Sequence, residues 1–167
     1  MIISVEEFKK HVTTDLADEV LEMKLQALES AIRKYTNNNF QNRNKRVIVN
    51  IVNGNLELDG YEYITEGDTI QISDSVYNNG VYTLSTDMNL FDENNVLVTK
   101  VEYPLDIKLG LINLLDWEIN KREKVGVASE TISRHSVTYF NMDGDNSLIG
   151  YPKSLVGFLR PYIKARF

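Results

Sequence analysis

The hydrophobic residues of this 167-residue chain change their spacing twice. Up to Tyr35 they recur at helical intervals, from Arg46 to about Lys100 they alternate, and from Leu105 the helical interval returns. Side chains return to the same face after about 3.6 residues in a helix and after 2 in a strand, so one stretch cannot satisfy both patterns. The expected fold class is therefore α+β, a small helical bundle with helices over about 5–11, 16–36, 104–122 and 152–160. A small antiparallel β barrel or sandwich is expected between the second and third helices. The expected division is residues 1–45 plus 101–167 as a helical domain, with 46–100 as an inserted β module.

The stretch Pro104–Arg122, PLDIKLGLINLLDWEINKR, sets the helical core. Leu105, Leu109, Ile112 and Ile119 fall on one face, and Ile107, Leu111, Leu114 and Leu115 on another. A helix apolar on most sides belongs in the centre of a core. Pro104 suits the first helical position, where its missing N–H costs nothing. Gly110 costs about 1 kcal/mol against Ala inside a helix, and is expected to let a neighbouring backbone come close. Leu21, Leu25, Leu28, Ile32 and Tyr35 form a second stripe, expected to pack on this centre in preference to a self-pairing coiled coil, which usually needs three or four heptads. Ser4 and Glu7 make a capping box for a short first helix whose Val5, Phe8 and Val12 share a face. Thr13–Asp15 are expected to break that helix and cap the next, and Asn37–Asn39 to end it.

Between them RVIVNIV, NLEL, YEYI, TIQIS, GVYTLS and NVLVTK each have strand character. Asn53-Gly54, Asp59-Gly60, Glu66-Gly67-Asp68 and Asn78-Asn79-Gly80 separate them, residues that accept positive φ in tight turns. Beyond the central helix, Glu130–Phe140 is rich in β-branched and aromatic residues and is expected to be extended. It pairs either with part of its own chain or, by strand addition, with a neighbouring subunit. Pro152 opens the last helix and Pro161 ends or kinks it.

Several chemistries find no footing here. The chain has no cysteine, which removes disulfides, thiolate metal sites and cysteine nucleophiles. A net charge of −6 argues against sequence-specific DNA binding, where domains are usually basic. No apolar run approaches a membrane span, and MIISVEEFKK lacks the layout of a signal peptide. His11 and His135 are the two histidines, and neither has a second His at ligand spacing. Asp143, Asp145 and Ser147 imitate the start of a calcium loop, but Leu148 and Ser154 stand where that loop needs Gly and Glu. Asp18, Glu22 and Glu29 lie on a charged helix face, and no Gly-rich phosphate loop opens a helix. The expectation is a protein without catalytic residues, cofactor or metal. The basic, aromatic end PYIKARF is either frayed or a docking tail.

The pieces SVEEFKKHV, DLADEVLEMKLQALESAIRKYTN, YPLDIKLGLINLLDWEINKRE, GVASETISRHSVTYF and YPKSLVGFLRPYIKARF, in that order, resemble the head–tail connector proteins of long-tailed bacteriophages. These adaptors complete the head beneath the portal. The resemblance covers 1–45 and 101–167 and departs at 46–100, where many members have only a short loop. It implies a structural virion protein, a dodecameric ring bound to the portal that extends the DNA channel and provides the docking surface for tail-side completion proteins. Such a protein is made in the bacterial host cytoplasm and ends at the virion head–tail junction. The ring needs a head-to-tail interface whose rotation closes. Ile132, Val137 and Tyr139 are then the expected subunit contacts, and Arg160, Lys164, Arg166 and Phe167 the portal-facing tail. Removing Pro161–Phe167 is expected to leave a folded protein that no longer joins heads. The acidic balance suits a channel through which DNA slides without sticking. The alternative is a ligand-binding protein whose β insert recognises a glycan or peptide, with Tyr61, Tyr63, Tyr77 and Tyr82 as stacking faces.

Overall fold

The computed structural model describes residues 1–120, 129–132, 135–138 and 147–165. The fold is mixed α/β, with four helices and a curled antiparallel sheet. The chain divides into two compact units: Met1–Asn38 with Pro104–Phe167, and Asn39–Tyr103.

In the first unit α1 (Val5–Lys9) is capped by Ser4, whose hydroxyl accepts the Glu7 N–H at 3.1 Å. It stops two residues short of the expected His11, and Phe8 is its buried residue. Helix α2 (Asp18–Thr36) begins two residues after the expected Leu16. Thr14 Oγ1 accepts the Leu16 N–H at 3.2 Å, a local turn that holds the chain out of the helix, so Ala17 occupies the cap position with no side-chain bond. Leu21, Leu25, Leu28 and Ile32 are buried along α2.

Helix α3 (Leu105–Asn120) buries Ile107, Leu111, Leu114 and Leu115 completely, and Ile112 nearly so. Its expected last two residues lie outside the described set. Gly110 is buried against the Phe158 ring, not against a backbone: a Cβ here would overlap Cζ and Cε2 of that ring. The backbone then forms two small hairpins. β6 (Ser129–Ile132) pairs with β7 (His135–Thr138), and β8 (Ser147–Leu148) with β9 (Tyr151–Pro152). The expected last helix at 152–160 is a short α4 (Lys153–Val156) continued by a 3-10 helix, Gly157–Tyr162. Pro161 lies inside the 3-10 stretch; in a regular α-helix its ring would clash with the carbonyl four residues earlier.

The second unit is a five-stranded sheet. Its strands are β1 (Gln41–Val52), β2 (Asn55–Leu56), β3 (Thr69–Ser73), β4 (Gly80–Thr83) and β5 (Glu93–Val101). They lie in the order β2-β1-β5-β3-β4, all antiparallel. β1 starts five residues before the expected Arg46, because the polar run QNRNK pairs with the end of β5 despite having no apolar alternation. Asn53 and Gly54 take φ of 52° and 78° in the tight turn between β1 and β2, a geometry that suits the right-handed twist of a hairpin. YEYI is not a strand. Tyr61 and Ile64 donate to the carbonyls of Leu58 and Tyr61 at 3.0 Å in two successive turns, which leave Ile64 buried. Val47, Val49, Ile51, Ile70, Ile72, Val96 and Val98 fill one side of the sheet, with Ile64 and Leu84 closing over them.

Gly110 makes a test of the α3 packing. Gly110→Ala should gain about 1 kcal/mol of helix propensity and lose about 1–3 kcal/mol to overpacking. The expected net outcome in urea denaturation is destabilisation, and pairing it with Phe158→Leu should cost less than the sum of the two single changes. Equal stability of Gly110→Ala and the parent would show that the ring yields freely.

Candidate interaction surfaces

Arg160 and Lys164, expected in a portal-facing tail, both lie on the surface of the first unit, while Arg166 and Phe167 fall outside the described residues. The backbone that carries them is not a free arm. The Lys164 N–H donates to Thr36 O at 2.8 Å, at the C-terminus of α2. Asn37, left-handed at φ 49°, caps that helix, and its side-chain amide donates to Ala165 O at 2.9 Å. Asn38 Nδ2 reaches Tyr162 O at 3.2 Å, and the Tyr162 hydroxyl lies 2.8 Å from both carboxylate oxygens of Asp106 on α3. The hydrogen bond to Asp106 raises the Tyr162 pKa. The segment Pro161–Phe167, whose removal is expected to leave a folded protein that no longer joins heads, thus contributes bonds that tie the C-terminus of α2 to the first turn of α3.

Ile132 and Val137 are brought into one hairpin, where Ile132 pairs with His135 and Val137 with Glu130. Tyr139 is outside the described residues. The extended segment thus has a partner within its own chain. Also in this unit, Leu105 and Leu109 stand one turn apart on α3 and are 82% and 58% exposed. Elsewhere Val20, Met23, Ala27 and Ala31 of α2 border a groove of about 510 Å³ with Ile149 and Tyr151. One end of that groove holds the Lys24–Glu118 ion pair at 2.5 Å, and the Tyr151 hydroxyl donates to the same carboxylate.

The β unit presents a different kind of surface. Val76, Tyr77 and Phe91 are 76%, 69% and 67% exposed, with the two rings 5.8 Å apart. Beneath them lies a polar lock. Glu93, the first residue of β5, accepts from the Ser75 hydroxyl at 2.5 Å, the Val76 N–H at 2.7 Å and the Asn78 amide at 3.1 Å. The Asn78 side chain, buried, donates to Phe91 O and accepts from Phe91 N–H, each at 2.9 Å. Ser75 Oγ accepts the Asn78 N–H at 2.7 Å. The antiparallel register explains the meeting: Ser73 ends β3 opposite Leu97, so the following loop reaches the start of β5.

Of the four tyrosines expected as stacking faces, Tyr63 and Tyr77 are exposed and Tyr61 packs partly on the β core. Tyr82 also packs there, with its hydroxyl donating to Asn78 O at 3.0 Å. Val76 and Phe91 were not singled out from the sequence, nor was the lock beneath them. The signal was present in SDSVYNN, where two apolar residues stand inside a run of turn-forming polar ones that alternation rules do not score. Among the described residues no group of three or more His, Asp or Glu is placed to hold a metal ion, and no helix is long and apolar enough to cross a membrane.

The lock predicts a pH response. Hydrogen bonds from Ser75 first, then from Val76, hold the Glu93 carboxyl below the usual carboxylate range. A lowered native pKa stabilises the loop above the unfolded-state value, and that stabilisation is lost as pH falls through the native value. In an NMR titration the Val76 amide should shift with a midpoint more acidic than an ordinary glutamate, and the step should vanish in Glu93→Gln. A midpoint at the ordinary value would remove the lock.

No known protein-family model matches the chain, and no characterised protein aligns with it significantly.

Proposed function

We propose that this chain is a structural virion protein, a head–tail connector that forms a ring beneath the portal, extends the DNA channel and offers the tail its docking surface. One observation carries the reading beyond the sequence pieces themselves. Those pieces are separated by the stretch 46–100, yet α1, α2, α3, the β6–β7 hairpin and the C-terminal segment belong to one compact unit, while the departing stretch, with the flanking residues 39–45 and 101–103, lies in the other. A resemblance scattered by chance along a chain has no reason to gather into one folded body. In this reading the four helices are the bundle of the connector, and the curled sheet is its inserted barrel or sandwich module.

Ring closure requires a surface on each subunit that complements a different surface on the next. Exposed Leu105 and Leu109 supply apolar area for such a contact, and the hairpin that includes Ile132 and Val137 supplies a second element. Arg160 and Lys164, held on a tied-down segment, supply a fixed positive patch for the portal.

The DNA flanking the gene is the first test: portal and capsid genes on one side and tail genes on the other are expected. Metabolic or transport genes on both sides would overturn the reading. The second test uses the portal protein encoded there. The double variant Arg160→Glu/Lys164→Glu should keep its stability within about 0.5 kcal/mol, as surface substitutions do. It should also bind portal roughly tenfold or more weakly, because reversed charges at a contact repel. Unchanged portal binding by the folded variant would remove those two residues from the interface.

A further inference from the structure

We propose that Val76, Tyr77 and Phe91 form a preformed docking knob for a basic protein surface, one whose Arg and Lys side chains surround an apolar pocket. The inference stands on the β unit alone and does not depend on the connector reading.

The first support is exposure. Three large apolar side chains, each at least 67% open to solvent, lie at one end of the sheet, and two of them, Tyr77 and Phe91, meet ring to ring. Isolated exposed apolar residues are ordinary, but a clustered pair of aromatic rings is the composition that dominates binding energy at protein interfaces.

The second support is rigidity. The loop that carries Val76 and Tyr77 is held by Glu93, Ser75 and Asn78, and the backbone of Phe91 is held by the buried Asn78 amide. Ordering a loop on binding opposes association, and here that ordering is complete before any partner arrives.

The third support is charge, and it chooses the partner. From Val47 to Thr99 the sequence has nine carboxylates and no Lys, Arg or His. The cations of this unit, Arg43, Lys45, Arg46 and Lys100, gather where β1 begins and β5 ends. The knob sits at the other end of that ladder, where Ile51 pairs with Glu93, and Asp74 and Asp92 are exposed beside it. Such a field steers cationic partners in and repels nucleic acid and anionic membranes. Guanidinium and ammonium groups also gain from the faces of Tyr77 and Phe91.

A sugar fits less well. The two rings are inclined at 51°, so they do not make one flat platform. The neighbouring polar groups are spent on the lock, which leaves few to read hydroxyls: Glu93 takes three donors, and the Asn78 amide both gives to and takes from Phe91.

The test pans the full chain against a displayed random-peptide library, then measures a synthetic copy of the enriched peptide by fluorescence anisotropy. Enriched peptides are expected to combine Arg or Lys with a bulky apolar residue. Tyr77→Ser and Phe91→Ser should each weaken binding by roughly tenfold or more, and added salt should weaken it further. Both side chains are largely solvent-exposed, so unchanged circular dichroism is expected to accompany the loss. Tyr63→Ser serves as the control: its carbonyl accepts from Lys100 Nζ, which places it at the opposite end of the sheet, and it should bind as the parent does. Failure to enrich basic peptides, binding that survives both substitutions, or equal loss in Tyr63→Ser would each overturn the proposal. So would a glycan-array signal that Tyr77→Ser abolishes in the absence of peptide binding. None of these outcomes bears on portal binding by Arg160 and Lys164, so the two readings can fail separately.

Discussion

The last carbonyls of α2 are the point on which the helical unit depends. A helix leaves its final carbonyls without intrahelical partners, and each must be satisfied or left to water. Here Arg33 O takes the N–H groups of Asn37 and Asn38, Ile32 O takes the Thr36 hydroxyl, and Thr36 O takes the N–H of Lys164. The last of these comes from the far end of the chain. Asn37 and Asn38 then use their side chains to hold the carbonyls of Ala165 and Tyr162. The asparagines expected to end α2 are thus also a clasp: their backbone ends one helix and their amides secure another segment. With Tyr162 on Asp106, the same segment reaches the first turn of α3. The charged side chains it carries are therefore displayed from a fixed backbone.

The β unit solves a different problem, that of holding apolar side chains in water. Its core follows from alternation: Val47, Val49 and Ile51 point inward on β1 while Ile48 and Val52 are exposed. Alternation cannot explain Val76, Tyr77 and Phe91, which lie outside the strands. Their support is polar, a carboxylate and an amide that satisfy backbone groups on both segments at once. Fully satisfied networks of this kind rigidify, whereas the loss of one member strands the others.

What the sequence makes legible here follows how local each signal is. The capping box at Ser4 and Glu7, the α2 stripe and the buried face of α3 are patterns within a few turns, and they appear in the structure close to where the residues place them. Signals that depend on distant partners are not legible in that way. The start of β1 at Gln41 is set by pairing with the end of β5, and QNRNK carries no trace of it. Gly110 announces a close approach, but the visitor is Phe158, 48 positions later, and nothing nearby in the sequence identifies it. The segment 130–140 has strand composition throughout, and composition alone cannot mark its division into the paired strands β6 and β7. The interface candidates divide likewise: Ile132, Val137, Arg160 and Lys164 are expected from the resemblance of their own segments, whereas the Tyr77–Phe91 pair comes together only through the register of the strands.

The distribution of charge changes what the acidic composition means. In Asn39–Tyr103 ten carboxylates face four cations, a net −6 that accounts for the whole chain, while the helical unit balances fourteen against fourteen. An argument that acidity keeps DNA from sticking to a channel wall therefore applies to the β unit and has no force for the helical one. Yet the β unit places two exposed aromatic rings beside the exposed carboxylates of Asp74 and Asp92, and a wall that DNA merely slides past gives no use for them. Carboxylates around an apolar knob do have a use against a cationic protein, where they steer the approach and the rings supply the contact. On that reasoning the charge of the β unit concerns protein docking, and in the proposed connector ring any DNA passage would fall to the electrically balanced helical unit.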